Sequence, residues 1–79
     1  MQIFLIQYDW YCSCVFIPEQ EKIVGISTWW NEQEFPTYSN DIEEAKQLYF
    51  YEFIQGHWCD RTSDYEDHKD LIYVKEINL

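Results

Sequence analysis

Two pairs of potential metal ligands are the residues most capable of chemistry in this chain. Cys12 and Cys14 are separated by one residue, as are His57 and Cys59. Residues i and i+2 of a β-strand share a face, so the first pair could present two thiolates to one ion. Together the four would form a Cys3His set for tetrahedral Zn2+. Structural zinc sites more often space their cysteines three apart, and a cysteine on a half-buried strand ordinarily packs as a small hydrophobe. Buried thiols and no cofactor are therefore the expectation. A Cys12–Cys14 disulfide would be strained.

Residues 60–66 (DRTSDYE) alternate oxygen ligands as an EF-hand loop does. The sixth position is Tyr65 where the loop needs Gly, and the twelfth is Leu71 where it needs Glu, which argues against calcium. Cys59 with His57 or His68 could be cast as nucleophile and base, but nothing supplies an orienting group or an oxyanion hole. With only two glycines there is no Gly-rich phosphate loop either. The expectation is that the protein is not an enzyme.

The carboxylates have a clearer pattern. Fifteen acidic residues face five basic ones, for a formal net charge of −10. Residues 31–45 hold Glu32, Glu34, Asp41, Glu43 and Glu44 with no base. Residues 60–70 hold Asp60, Asp64, Glu66, Asp67 and Asp70 against Arg61 and Lys69. Trp29, Trp30, Phe35, Tyr38, Trp58 and Tyr65 lie among them. Carboxylates can stand in for phosphates and flat rings for bases, so such a surface can imitate a nucleic-acid strand. The competing explanation is a helix start plus a solvated loop, because Asp41, Glu43 and Glu44 suit a helix N-terminus without any function.

Direct binding of nucleic acid or of an anionic membrane is disfavoured by the same charge, which instead favours a basic partner approached by electrostatic steering. Four Trp, seven Tyr and five Phe exceed what the core of a 79-residue domain can enclose, so some should lie exposed or in an interface. No apolar run reaches the ~20 residues of a membrane span. The opening MQIFLIQYDW lacks the basic and apolar regions of a secretory signal. Three cysteines suggest no disulfide framework, so a cytoplasmic location is expected.

The elements that must position these residues can be read from period and punctuation. Residues 40–56 (NDIEEAKQLYFYEFIQG) carry a full helix signature: Asn40 as cap, Glu43 three residues on, acids in the first turn, and Gly56 at the end. Ile42, Ala45, Tyr49 and Phe53 form one apolar stripe, with Leu48, Phe50, Tyr51 and Ile54 beyond it. That wide arc needs a sheet, a partner or a second copy, and a homodimer with the helix as its seam is one outcome. Residues 2–8, 11–17, 22–30 and 71–77 read as strands, and Gly25 in the third suggests a bulge or a close approach. Residues 18–21 read as a tight connection, 31–39 as a loop and 57–69 as a polar connection. The expected architecture is a single α+β domain over residues 1–79. Its order is β-β-β-α-β, a small antiparallel sheet of three to four strands with one helix packed on a face.

In size, acidity, aromatic richness and α+β order the chain resembles small phage-encoded inhibitors of bacterial defence, the anti-CRISPR and anti-restriction proteins. That resemblance implies a non-enzymatic protein that occupies the nucleic-acid-binding groove of a basic nucleoprotein enzyme in the host cytoplasm. Glu32, Glu34, Asp60, Asp64, Glu66 and Asp67 would be its contacts, anchored by Trp29, Trp30 and Trp58. The alternatives are a small zinc-stabilised structural or adaptor module on Cys12, Cys14, His57 and Cys59, or a dimer-forming accessory protein.

Overall fold

Five strands form the sheet: β1 (Gln2–Tyr8), β2 (Cys12–Ile17), β3 (Lys22–Ile26), β4 (Gln33–Pro36) and β5 (Ile72–Asn78), all but β4 built on apolar patterning. The computed structural model describes residues 2–8, 12–26, 33–38, 40–56 and 59–78, without the side chains of Cys12, Ile26 and Asn78. All neighbouring strands are antiparallel, in the order β4-β3-β2-β1-β5. The first four strands form a meander. The last returns to pair with β1 along its whole length, from Gln2↔Asn78 to Tyr8↔Ile72. The fold is α+β, as the sequence implied, but with one strand and one short helix more than expected.

The extra strand is β4, inside the stretch read as a loop. It is four residues long, ends at Pro36 and sits at the sheet edge, where a proline costs no ladder bond. Its one apolar contact with the core is Phe35, which packs edge-on to Phe53 with ring centroids 5.4 Å apart. The connection after β2 is a 3-10 turn at Pro18–Gln20, closed by Glu21 in the left-handed region (φ 50°).

Helix α1 (Ile42–Tyr49) starts one residue later than its sequence signature suggested. Asp41 is the cap, and its Oδ1 accepts the Glu43 N–H at 3.0 Å. Glu44 then occupies the third helical position and accepts the Tyr38 N–H, tying down the incoming chain. Beyond Tyr49 the helix widens into a π-helical turn at Phe50–Ile54, closed by the Gln55 N–H donating to the Phe50 carbonyl at 2.8 Å. Gln55 is already extended, so Gly56 (φ 82°) serves the following turn and is not the helix's own C-terminal residue.

This helical segment lies across one face of the sheet, with Ile42 at its start sharing a cleft with Phe4 of β1 and Phe53 near its end packing on Phe35 of β4. Tyr49, Phe50, Phe53 and Ile54 are buried on Ile6, Tyr8, Cys14, Phe16 and Ile23, and these form the core. Of the residues beyond the main stripe, Phe50 and Ile54 are fully buried, Leu48 is partly buried and Tyr51 is half-exposed. The sheet therefore covers most of the wide apolar arc within one chain. Gly25 sits in unbroken register between Cys14 and Gln33, so there is no bulge. A close approach explains it, because a Cβ there would stand 2.2 Å from the Phe53 ring.

Candidate partner-binding surface

Before β5 the chain forms a helical turn, α2 (Tyr65–His68), continued by a 3-10 turn at Lys69–Leu71, which fastens the second acidic cluster to α1. Tyr65 is buried, and its hydroxyl donates to Glu43 Oε1 at 2.7 Å. Its ring lies edge-on to Phe50 at 6.0 Å. His68 packs at 5.4 Å from Phe50, with Nδ1 3.3 Å from the Tyr8 hydroxyl oxygen. Upstream, Gln55 Nε2 donates to the Ser63 carbonyl at 2.7 Å. A loop of this composition would be free to move, but these contacts hold it on the helix.

The two acidic clusters, far apart in sequence, consequently meet. Glu43 belongs to the first and Glu66 to the second, and both act on Tyr65. Burial first, then the bond to Glu43 and the negative field of Glu43 and Glu66, push the Tyr65 hydroxyl well above the ordinary tyrosine range. Lys69 is held above the ordinary lysine range by its bond to Glu66 at 2.9 Å, with Asp70 and Glu43 adding to the effect. Asp60 is held below the usual carboxylate range, mainly because its Oδ1 accepts the Thr62 N–H and hydroxyl, each at 3.1 Å. Asp64, Glu66 and Asp67 are exposed on the same turn.

Two of the three basic residues in this layer are already engaged, Lys46 with Glu43 at 3.9 Å and Lys69 with Glu66 at 2.9 Å. From residue 41 to residue 70 the chain carries nine acidic side chains against three basic ones, so the layer remains strongly negative. Beside it lies an open cleft of about 530 Å3 with Phe4, Pro18 and Ile42 as apolar lining and Glu19 and Asp41 as carboxylates.

Not every residue assigned from sequence belongs to this surface. Asp60, Asp64, Glu66 and Asp67 do. Glu34 does not: its register partner Val24 lies on the sheet face opposite the helices, where Glu34 pairs with Lys22 at 3.0 Å. Glu32, Trp29, Trp30 and Trp58 fall outside the described residues, as does His57. Cys14 is fully buried beneath the helix. Cys59 is half-buried, its Sγ 3.9 Å from the Ile54 carbonyl oxygen. Among the described residues no three His, Cys, Asp or Glu side chains are grouped to hold a metal. Nor is any described helix long and apolar enough to cross a membrane.

No protein-family model matches this chain, and no curated protein or solved structure matches it either.

Sequence reasoning counted Glu43 and Tyr65 among the acids and rings of the two clusters but did not name them as contacts. Glu43 had a sufficient explanation as a helix-start residue, and Tyr65 lay in a segment without period. Only the tertiary contact joins them.

Proposed function

We propose that the protein is a non-enzymatic binder of basic protein surfaces, which it would cover in place of nucleic acid. The observation that carries this reading is the Glu43–Tyr65 bond, because it docks the acidic turn at residues 60–67 onto the acidic start of α1. A carboxylate array on a fixed scaffold loses less entropy on binding than one on a mobile loop. Its field steers a cationic partner and repels phosphate. The resemblance to small anti-defence inhibitors supports the same reading, with a nucleoprotein enzyme as partner and a bacterial cytoplasm as setting.

The test is capture on the immobilised protein from a bacterial lysate, eluted in salt steps with and without duplex DNA or RNA. The expected result is recovery of a basic nucleic-acid-binding protein that the nucleic acid displaces. A variant with Asp60→Asn, Asp64→Asn, Glu66→Gln and Asp67→Asn should fail to capture it. If the variant captures the same protein equally well, the acidic layer is not the binding surface.

A further inference from the structure

The face of the sheet turned away from the helices has a different character. Ile3, Leu5, Val15, Ile17 and Ile77 are half-buried there, Val24 is buried, and none of them joins the core between sheet and helix. Among the described residues, the charged side chains that fall on this face by register are Lys22, Glu34 and Lys75, which sum to one positive charge in a chain of −10. A second copy could approach this face without bringing acidic layers together.

The register makes the face self-complementary. Glu34 pairs with Val24, Val24 with Val15, Val15 with Leu5, and Leu5 with Lys75. These five side chains form one row across the whole sheet: an acid at the β4 edge that also holds Lys22 of its own chain, three aliphatic residues, and a base at the β5 edge. A twofold axis parallel to the strands, midway between two stacked sheets, reverses the strand order of the second copy. Val15 then faces Val15, Leu5 faces Val24, and Glu34 of each copy faces Lys75 of the other. Stacked sheets pack about 10 Å apart with strands within about 30° of each other, which the long lysine stem can span.

We infer that the protein forms a twofold homodimer, sheet against sheet, with Val15 at its centre and two Glu34–Lys75 pairs at its rim. Both helical layers face outward, so the inference does not depend on what they bind. An isologous interface brings each patch onto itself, and this row satisfies that requirement with opposite charges and an apolar middle.

Sedimentation equilibrium of the whole chain, from micromolar to near-millimolar concentration, tests it. The expected mass rises from 9.8 kDa towards twice that value. Val15→Lys, which sets like charges on the axis, should leave a monomer with an unchanged circular dichroism spectrum. Lys75→Glu, an exposed change that spares the fold, should weaken the dimer about tenfold by opposing two acids. Adding Glu34→Lys to it should restore dimerisation. A single-chain mass at every concentration would overturn the proposal. So would a dimer indifferent to both Val15→Lys and Lys75→Glu, which would place the seam elsewhere.

Discussion

At the scale of single residues, two contacts illustrate how the sequence is constrained by its own fold. Phe53 lies against the backbone of Gly25, held by Phe35 edge-on and by Tyr49 at 5.9 Å. Because the ring cannot retreat, Gly25→Ala should destabilise the protein by about 1–3 kcal/mol, as overpacking usually does. Denaturant unfolding would check it. The Tyr65 hydroxyl, raised by burial and by Glu43, gives a pH dependence of definite sign. A group whose pKa is raised on folding adds stability that is complete below its unfolded value, about 10 for tyrosine, and is lost as pH rises through the folded value. Lys69, also raised, acts in the same direction. Alkaline titration followed at the tyrosinate absorbance should therefore include a late contribution from Tyr65. Tyr65→Phe should remove that contribution, and Glu43→Gln should bring it to lower pH. A late component unchanged in both variants would mean that Tyr65 is not the group responsible.

At the scale of elements, β1, β2, β3 and β5 were legible from their apolar patterning and the turn residues that bound them. β4 was not legible. Four residues with one apolar side chain and a terminal proline carry no period, and Phe35 becomes structural only once Phe53 is beside it. α2 was hidden for a similar reason, since one helical turn is too short to nucleate alone and exists here because Tyr65 and His68 dock on Phe50. The start of α1 was legible to within a residue. Asn40 and Asp41 are both good caps, and the choice of Asp41 leaves Glu44 to reach the Tyr38 N–H. Asp41→Ala should thus cost about 1 kcal/mol and Asn40→Ala much less, a difference that thermal unfolding can resolve. Equal costs would contradict the observed cap.

At the scale of the whole molecule, the chain separates its charge from its second apolar surface. The helical layer holds most of the acids, while the other sheet face is nearly neutral among the described residues. Composition alone gave the net charge and the surplus of apolar and aromatic residues. It could not say that the two lie on opposite sides, because that depends on register and on the docking of residues 60–67. Glu34 illustrates the point: sequence proximity grouped it with the acidic cluster, and strand pairing puts it on the other face.

If the joined acidic layer is a binding surface and not a solubility device, its carboxylates should govern how salt affects binding. The most direct measurement is the salt dependence of affinity for the captured partner, compared between the native chain and the Asp60→Asn, Asp64→Asn, Glu66→Gln, Asp67→Asn variant. Ion-pairing predicts steep weakening of the native complex as salt rises and a much shallower, weaker dependence for the variant. Affinities and salt slopes that coincide for the two proteins would contradict the claim.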